Sequence, residues 1–208
     1  VCFLAFDPDG NKVILKRFRP RMWRKNKHAN HYEAVILSGL EHPAVPELLG
    51  VINNQKGYYF VLEYKDGFTL EQWLFEKKKV FTAEEIYRIG SQIFEVLEYL
   101  HSRSVVHGDI SAANVTDNGE KISLLDFGLA RYADGRNIRF SLDYARAANV
   151  FLYMLYSGYG GKGDRPWHEE LPLSGEQKEF LRKLMEPEEQ FADTGEVRRL
   201  FEKNFGRN

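Results

Sequence analysis

Only one cysteine, Cys2, occurs among 208 residues. No internal disulfide can form and no cysteine-rich zinc site exists, so a reducing, cytoplasmic setting is the expectation. Long apolar runs are also missing. The longest candidate, VFLYMLY (150–156), is far shorter than the roughly 20 residues a membrane span needs, and no membrane partner is expected. No signal-peptide pattern opens the chain. It starts at Val1 rather than Met, and an absent preceding segment is the expectation. Neither sign of charge dominates: the formal net charge of −1 gives the whole molecule no strong pull toward nucleic acid or anionic lipid. There is no internal repeat and no low-complexity tract. What is present, 43% hydrophobic and 28% charged residues, fits a soluble globular protein with room for one large domain or two small lobes.

The first third reads as β-rich. VCFLAF (1–6) and KVILKRF (12–18) flank DPDGN (7–11), whose Pro, Asp-Gly and Asn predict a hairpin turn. HANHYEAVILSGLEH (28–42) is helix-like, with Ala34, Leu37 and Leu40 stepping by three along one face. VPELLGVI (45–52) and YYFVLEY (58–64) predict two more strands. After Gly67 the character changes. Thr69 with Gln72, Thr82 with Glu85 and Ser174 with Gln177 have capping-box spacing, and each is expected to start a helix. The helix over roughly 83–102 carries Ile86, Ile89, Ile93, Leu97 and Leu100 on one stripe. SVV (104–106), NVT (114–116) and KISLLD (121–126) are short strands, the last two joined by a DNG turn. From about Leu142 the chain is helical. AANVFLYMLY (147–156) is apolar nearly all round and predicts a buried helix; GYGGKGDRP (158–166) predicts a surface connection. The expected organisation is a β-rich lobe with one helix (1–64), a linker near 63–67 and a larger helical lobe (65–208), with a ligand between them.

The chemistry concentrates in HGDISAAN (107–114) and LLDFGLA (124–130). Asn114 and Asp126 offer hard oxygen ligands of the kind Mg²⁺ takes beside substrate phosphates. Asp109, on the same loop as Asn114, can orient or deprotonate a hydroxyl. Gly128 is expected to make a sharp turn after Asp126. Lys16 sits in an apolar strand, where a charge needs a partner, and Glu33 on the following helix can be that partner.

These residues resemble the protein kinase family over nearly the whole chain. VILK (13–16) is similar to the strand carrying the phosphate-holding lysine, and Glu33 to its helix partner. HPAVPELLGV (42–51), the hinge-like LEYKDG (62–67), HGDISAAN and DFG follow in the family's order. The resemblance implies an α+β bilobal fold and transfer of the ATP γ-phosphoryl group to a protein hydroxyl. It gives Lys16, Ile14, Leu62, Glu63, Tyr64, Lys65, Thr116 and Asp126 to the nucleotide. Asn114 and Asp126 fall to Mg²⁺, and Asp109 to the catalytic base.

Several positions depart from the pattern. Gly108 replaces the Arg that commonly receives a phosphorylated activation loop, and the segment after DFG has no Ala-Pro-Glu motif. Gln190 stands where that motif's buried Arg partner is expected. These losses agree with one another and imply a compact, unswitched kinase. Ser111 replaces a lysine near the transferred phosphate, which implies slow transfer and keeps a nucleotide-binding pseudokinase or assembly partner as the alternative. Ile14 replaces a smaller residue above adenine. The glycine-rich loop is absent, and Val1–Ala5 resembles the strand just after it. HGD followed by a hydroxyl residue also resembles the small atypical kinases of tRNA-modification complexes and the aminoglycoside phosphotransferases, so a small-molecule acceptor is a further alternative. The run 16–27 holds seven basic residues in twelve and reads as a solvated approach to the helix, with RNA or an acidic partner as the other reading. Cys2 reads as a small buried hydrophobe; Trp73, Trp167 and the Phe residues read as core.

Overall fold

The turn at 7–11 closes on its own side chain: the Asp7 carboxylate accepts from the backbone N–H of Asp9 (3.0 Å) and of Asn11 (2.8 Å). It joins β1 (Cys2–Phe6) to β2 (Lys12–Phe18) as an antiparallel pair. The structure is a computed structural model that describes residues 1–18, 27–55, 57–161, 163–186 and 191–206, without the side chains of 27–31. Most of the basic run 16–27, and Gln190, lie outside the described residues.

Strands β3 (Leu48–Asn54) and β4 (Gly57–Glu63) complete a four-stranded antiparallel sheet in the order β1-β2-β4-β3. Helix α1 (Lys27–Ser38) is shorter than the expected 28–42. It tightens at Gly39 and Leu40, whose N–H groups donate to Ile36 and Leu37 carbonyls, before His42-Pro43 ends any helical continuation. Its inward face is Glu33, Ile36, Leu37 and Leu40, while Ala34 is half-buried. The stripe predicted through Ala34 is therefore rotated, because the face that buries apolar surface also has to deliver Glu33 to Lys16.

The remainder is mainly helical. Phe68–Thr69 forms β5, and Thr69 and Gln72 exchange the expected reciprocal bonds. The helix they start widens at once into a π-helical turn over Gln72–Glu76 and stops before Lys78, which takes φ +55°. The other two capping boxes form as expected, at Thr82 before α2 (Ala83–Ser102) and at Ser174 before α5 (Gly175–Met185). Such a cap contributes about 1 kcal/mol. The whole predicted stripe of α2 is buried.

Helix α3 (Ser141–Tyr156) buries Ala147, Ala148, Val150, Phe151 and Met154 but exposes Asn149 and Tyr153. It is a one-sided helix, not one buried all round, because helices pack on it from one side only. After α4 (Trp167–Glu170), α6 (Thr194–Phe205) lays Phe201 against Phe94 and Phe151 at ring separations of 5.3 and 5.1 Å. Each such fully buried ring stabilises by roughly 1.5–3 kcal/mol. Not every aromatic joins the core: Phe3, Phe6, Phe68 and Phe75 are exposed, and Trp73 and Trp167 are half-buried. Cys2 is exposed, not buried. Among the described residues, no helix is long and apolar enough to cross a membrane.

Three short strands frame the loops that matter: β6 (Val105–Val106), β7 (Val115–Asp117) and β8 (Ile122–Leu124), the last two a hairpin around Asn118-Gly119. The segment after DFG is short and pinned. Its strand β9 (Arg131–Tyr132) pairs with β6, and the Asp134 carboxylate accepts from the N–H groups of Arg136, Asn137 and Ile138.

Candidate active site

A cavity of about 360 Å³ opens between the sheet and the helical part. Ile14 and Lys16 of β2 line it from above, with Cys2 beside them. The chain leaving β4 lines its back with Leu62, Glu63, Tyr64 and Lys65, and Asn114, Thr116 and Asp126 lie below. Two of the back-wall side chains are occupied elsewhere: Lys65 Nζ donates to the Pro43 carbonyl (2.7 Å) and to Glu63 Oε1 (2.8 Å). That leaves the backbone and the Leu62 side chain to face the cavity at its back wall. Thr116 is buried, its hydroxyl toward the Ser123 carbonyl.

Lys16 Nζ lies 2.5 Å from Glu33 Oε1 and 2.7 Å from Asp126 Oδ1, joining residues 110 positions apart in sequence. Glu33 is 2% exposed. Burial pulls the Lys16 pKa down, but the two carboxylates outweigh it and hold it above the ordinary value. At Asp126, burial pushes the carboxyl up, but the Lys16 charge together with the hydrogen bonds from Lys16 and Gly128 N–H outweighs it and holds it below the usual carboxylate range. At Glu33 burial wins over Lys16 and the carboxyl is pushed up. Although Lys16 pulls the two carboxyls the same way, their net shifts are opposite, because Glu33 is enclosed and Asp126 faces the cavity.

That ordering sets an acid response. Asp126, with its depressed pKa, contributes stability that is complete above its unfolded value and is lost as pH falls through the folded one. Glu33 runs the opposite way: its ionised form costs stability above its raised pKa, and the cost disappears as pH falls. On acidification Glu33 is therefore expected to take a proton before Asp126 does, which weakens its hold on Lys16. Nucleotide affinity is expected to weaken on the acid side while Tm holds, and Glu33→Gln is expected to flatten that limb. Fluorescent-nucleotide titrations across pH check this, and an acid limb unchanged in Glu33→Gln would refute it.

Local structure explains the loop geometry. Asp126 itself takes φ +59° and accepts from Gly128 N–H at 3.1 Å. The sharp turn expected of Gly128 thus falls on Asp126. Gly128 is small for another reason: a Cβ there would stand 3.0 Å from Asp126 Oδ1 and 3.4 Å from Lys16 Nζ. Gly108 has φ +79°, and a Cβ on it would meet the Leu129 carbonyl at 3.0 Å. Its identity answers a backbone requirement as well as leaving out an arginine.

Asn114 Nδ2 donates to the Asp109 carbonyl (2.8 Å) and to Asp109 Oδ2 (3.0 Å). Both partners accept only, so the amide orientation follows, and Oδ1 of Asn114 is the atom left for a ligand. An oxygen from Asn114 and an ionised Asp126 on one cavity suit a hard divalent cation. Among the described residues, no three His, Cys, Asp or Glu side chains group together, so water or a ligand's own oxygens would complete the shell of a cation held here. Ser111 does not line this cavity. It lies in an adjoining groove with Ile110, Ala112 and Arg146.

The residue that holds the loop was not singled out from sequence. Asp143, fully buried on α3, accepts from the N–H groups of His107 and Gly108, both at 2.8 Å, and from His101 Nε2 at 3.0 Å. His107 donates from Nε2 to the Leu125 carbonyl and accepts at Nδ1 from Asp109 N–H; its burial holds its pKa down and keeps it neutral. The available signal was an aspartate four positions before the apolar run 147–156, in the same helix.

A family model described as "Protein kinase domain" matches residues 1–164. The chain is 32% identical over 196 residues to "Probable serine/threonine-protein kinase YbdM" of Bacillus subtilis, covering 89% of this chain and 76% of that protein. It is also 32% identical over 126 residues to "Serine/threonine-protein kinase B" of Synechocystis, and 35% identical over 125 residues to "CTD kinase subunit alpha" of Schizosaccharomyces pombe. These two matches cover 57% and 59% of this chain but 22% and 21% of those proteins. With most of its length matched, and its sheet and helices in the order the resemblance implied, the chain belongs to the protein kinase family and has that family's α+β fold.

Proposed function

We propose that the chain is an ATP- and Mg²⁺-dependent serine/threonine protein kinase whose two lobes, 1–64 and 65–208, form one catalytic domain. The observation that carries the reading is the three-way contact of Lys16 with Glu33 and Asp126 at the cavity. Glu33 keeps Lys16 aimed at the position of the nucleotide's phosphates. Asn114 and Asp126 hold the cation, which when bound neutralises charge on those phosphates. Asp109 orients the acceptor hydroxyl and takes its proton. Its carboxylate is steadied by Asn114 and its backbone by His107. The pinned segment between DFG and α3 supports a site built without a phosphorylation switch.

Purified protein supplied with Mg²⁺ and radiolabelled ATP is expected to place label on serine or threonine of itself or of an added protein. Asp109→Ala is expected to lower the rate by about 10²–10⁴-fold, and Asp126→Ala by at least as much. Nucleotide binding without label in the wild type would instead identify a pseudokinase, and label on a hydroxylated metabolite alone would identify a small-molecule phosphotransferase.

A further inference from the structure

The two oxygens of the Asp109 carboxylate face different neighbours. Oδ2 accepts from Asn114, on the cavity side. Oδ1 faces Arg146 Nη1 at 3.9 Å, and Arg146 also lines a groove with Ser111 and Asn149. That separation is an ion pair but too long for a hydrogen bond, so the guanidinium keeps its donors. Arg146 stands on the outward face of α3 together with the exposed Leu142, Asn149 and Tyr153. The short segment 127–140 leaves this face open beside the catalytic loop.

Charge is distributed unevenly around the reaction path. Lys16 is committed to Glu33 and Asp126 on the nucleotide side. Among the described residues, the cation within 4 Å of the Asp109 carboxylate is Arg146. The other polar side chains of the groove, Ser111, Asn149, Tyr153 and Tyr156, carry no positive charge. A phosphoryl group moving toward a hydroxyl held by Asp109 carries negative oxygens away from Lys16 and toward this arginine.

We propose that Arg146 is a catalytic residue: its guanidinium binds a non-bridging oxygen of the transferred phosphoryl group on the acceptor side. This rests on the kinase reading above. In the step, the bond from the γ-phosphorus to the β-γ bridging oxygen breaks and a bond to the acceptor oxygen forms. The hydroxyl proton passes to Asp109 and ADP leaves with the bond's electron pair. Arg146 neither gains nor loses a proton; it supplies fixed positive charge in a planar fork suited to phosphate oxygens.

The test compares wild type, Arg146→Ala, Arg146→Lys, Asp109→Asn and the double variant Arg146→Ala with Ser111→Lys. Arg146→Ala is expected to lower kcat by about 100-fold, the low end for a lost charge-stabilising donor because the groove is open to solvent. KM for ATP and Tm are expected to stay close to wild type. Affinity for Mg²⁺-ADP with aluminium fluoride, which mimics the transferring group, is expected to weaken by a similar factor while affinity for ADP alone is kept. Arg146→Lys should retain part of the rate, and a lysine on the same groove at position 111 should restore much of it. A full rate in Arg146→Ala alongside a dead Asp109→Asn would sink this proposal and leave the kinase reading standing. So would a loss tracked by falling Tm, or a double variant no better than Arg146→Ala. A wild type that transfers no phosphoryl group and does not prefer the aluminium fluoride complex over ADP would remove both.

Discussion

Lys16→Met is expected to lower phosphoryl transfer by at least about 10³-fold and to destabilise the fold at the same time. The first effect follows from losing the one cation aimed at the phosphate position from β2. The second follows from Glu33, which is 2% exposed and would be left enclosed without its ion-pair partner. Removing one member of a buried ion pair costs about 3–5 kcal/mol. Here the Glu33 carboxyl is already pushed up by burial, so it can take a proton, and a loss of about 2–3 kcal/mol is the expectation. Replacing both residues, Lys16→Met with Glu33→Leu, should return stability to within about 1 kcal/mol of wild type, because no uncompensated charge remains. Activity should stay lost. Denaturant midpoints and transfer rates on the three proteins separate the effects. A single variant with normal turnover would reduce the pair to a structural bridge.

Asp143→Asn is the second large effect, and it acts without touching the nucleotide cavity. The carboxylate accepts from two backbone N–H groups of the loop that carries Asp109, which can only donate, and from the His101 ring. An amide offers one accepting oxygen and turns an N–H₂ toward the remaining donors. At least one buried donor is left unsatisfied and the charge is gone, for an expected loss of about 3 kcal/mol. The loop it releases carries Asp109, and a misplacement of about 1 Å at a reacting group costs on the order of 100-fold in rate. Nucleotide affinity is expected to change little. Tm, kcat and fluorescent-nucleotide binding measured together would show this pattern; wild-type Tm and turnover would contradict it.

Much of the local structure was legible because its causes are local. The Asp7 turn, the caps at Thr82 and Ser174, and the α2 stripe each depend on groups within a few positions of one another. Misreadings arose where a distant partner decides. The face of α1 is rotated because Glu33 must reach Lys16 while Ile36 and Leu37 fill the core. Gly128 was read as a turn residue, yet its neighbour Asp126 adopts the left-handed conformation and Gly128 leaves room for the Lys16 contact. Asp143 went unnoticed because a single acidic residue in an apolar helix has no signature of its own. Its meaning comes from the loop lying on it, 35 and 36 positions earlier.

By itself, the sequence determined the family, the order of its motifs, and which of them fall on strands, loops or helices. Residue type sets what an atom can donate, accept or ligate, and short-range periodicity sets the element that carries it. Only the tertiary structure decided which of those atoms meet. Lys16 reaches Asp126 across 110 positions, and Arg146 comes to face Asp109 from the residue just before the segment read as buried. Contacts of that range are set by how the sheet and helices pack, where apolar burial dominates and no pattern along the chain encodes the outcome.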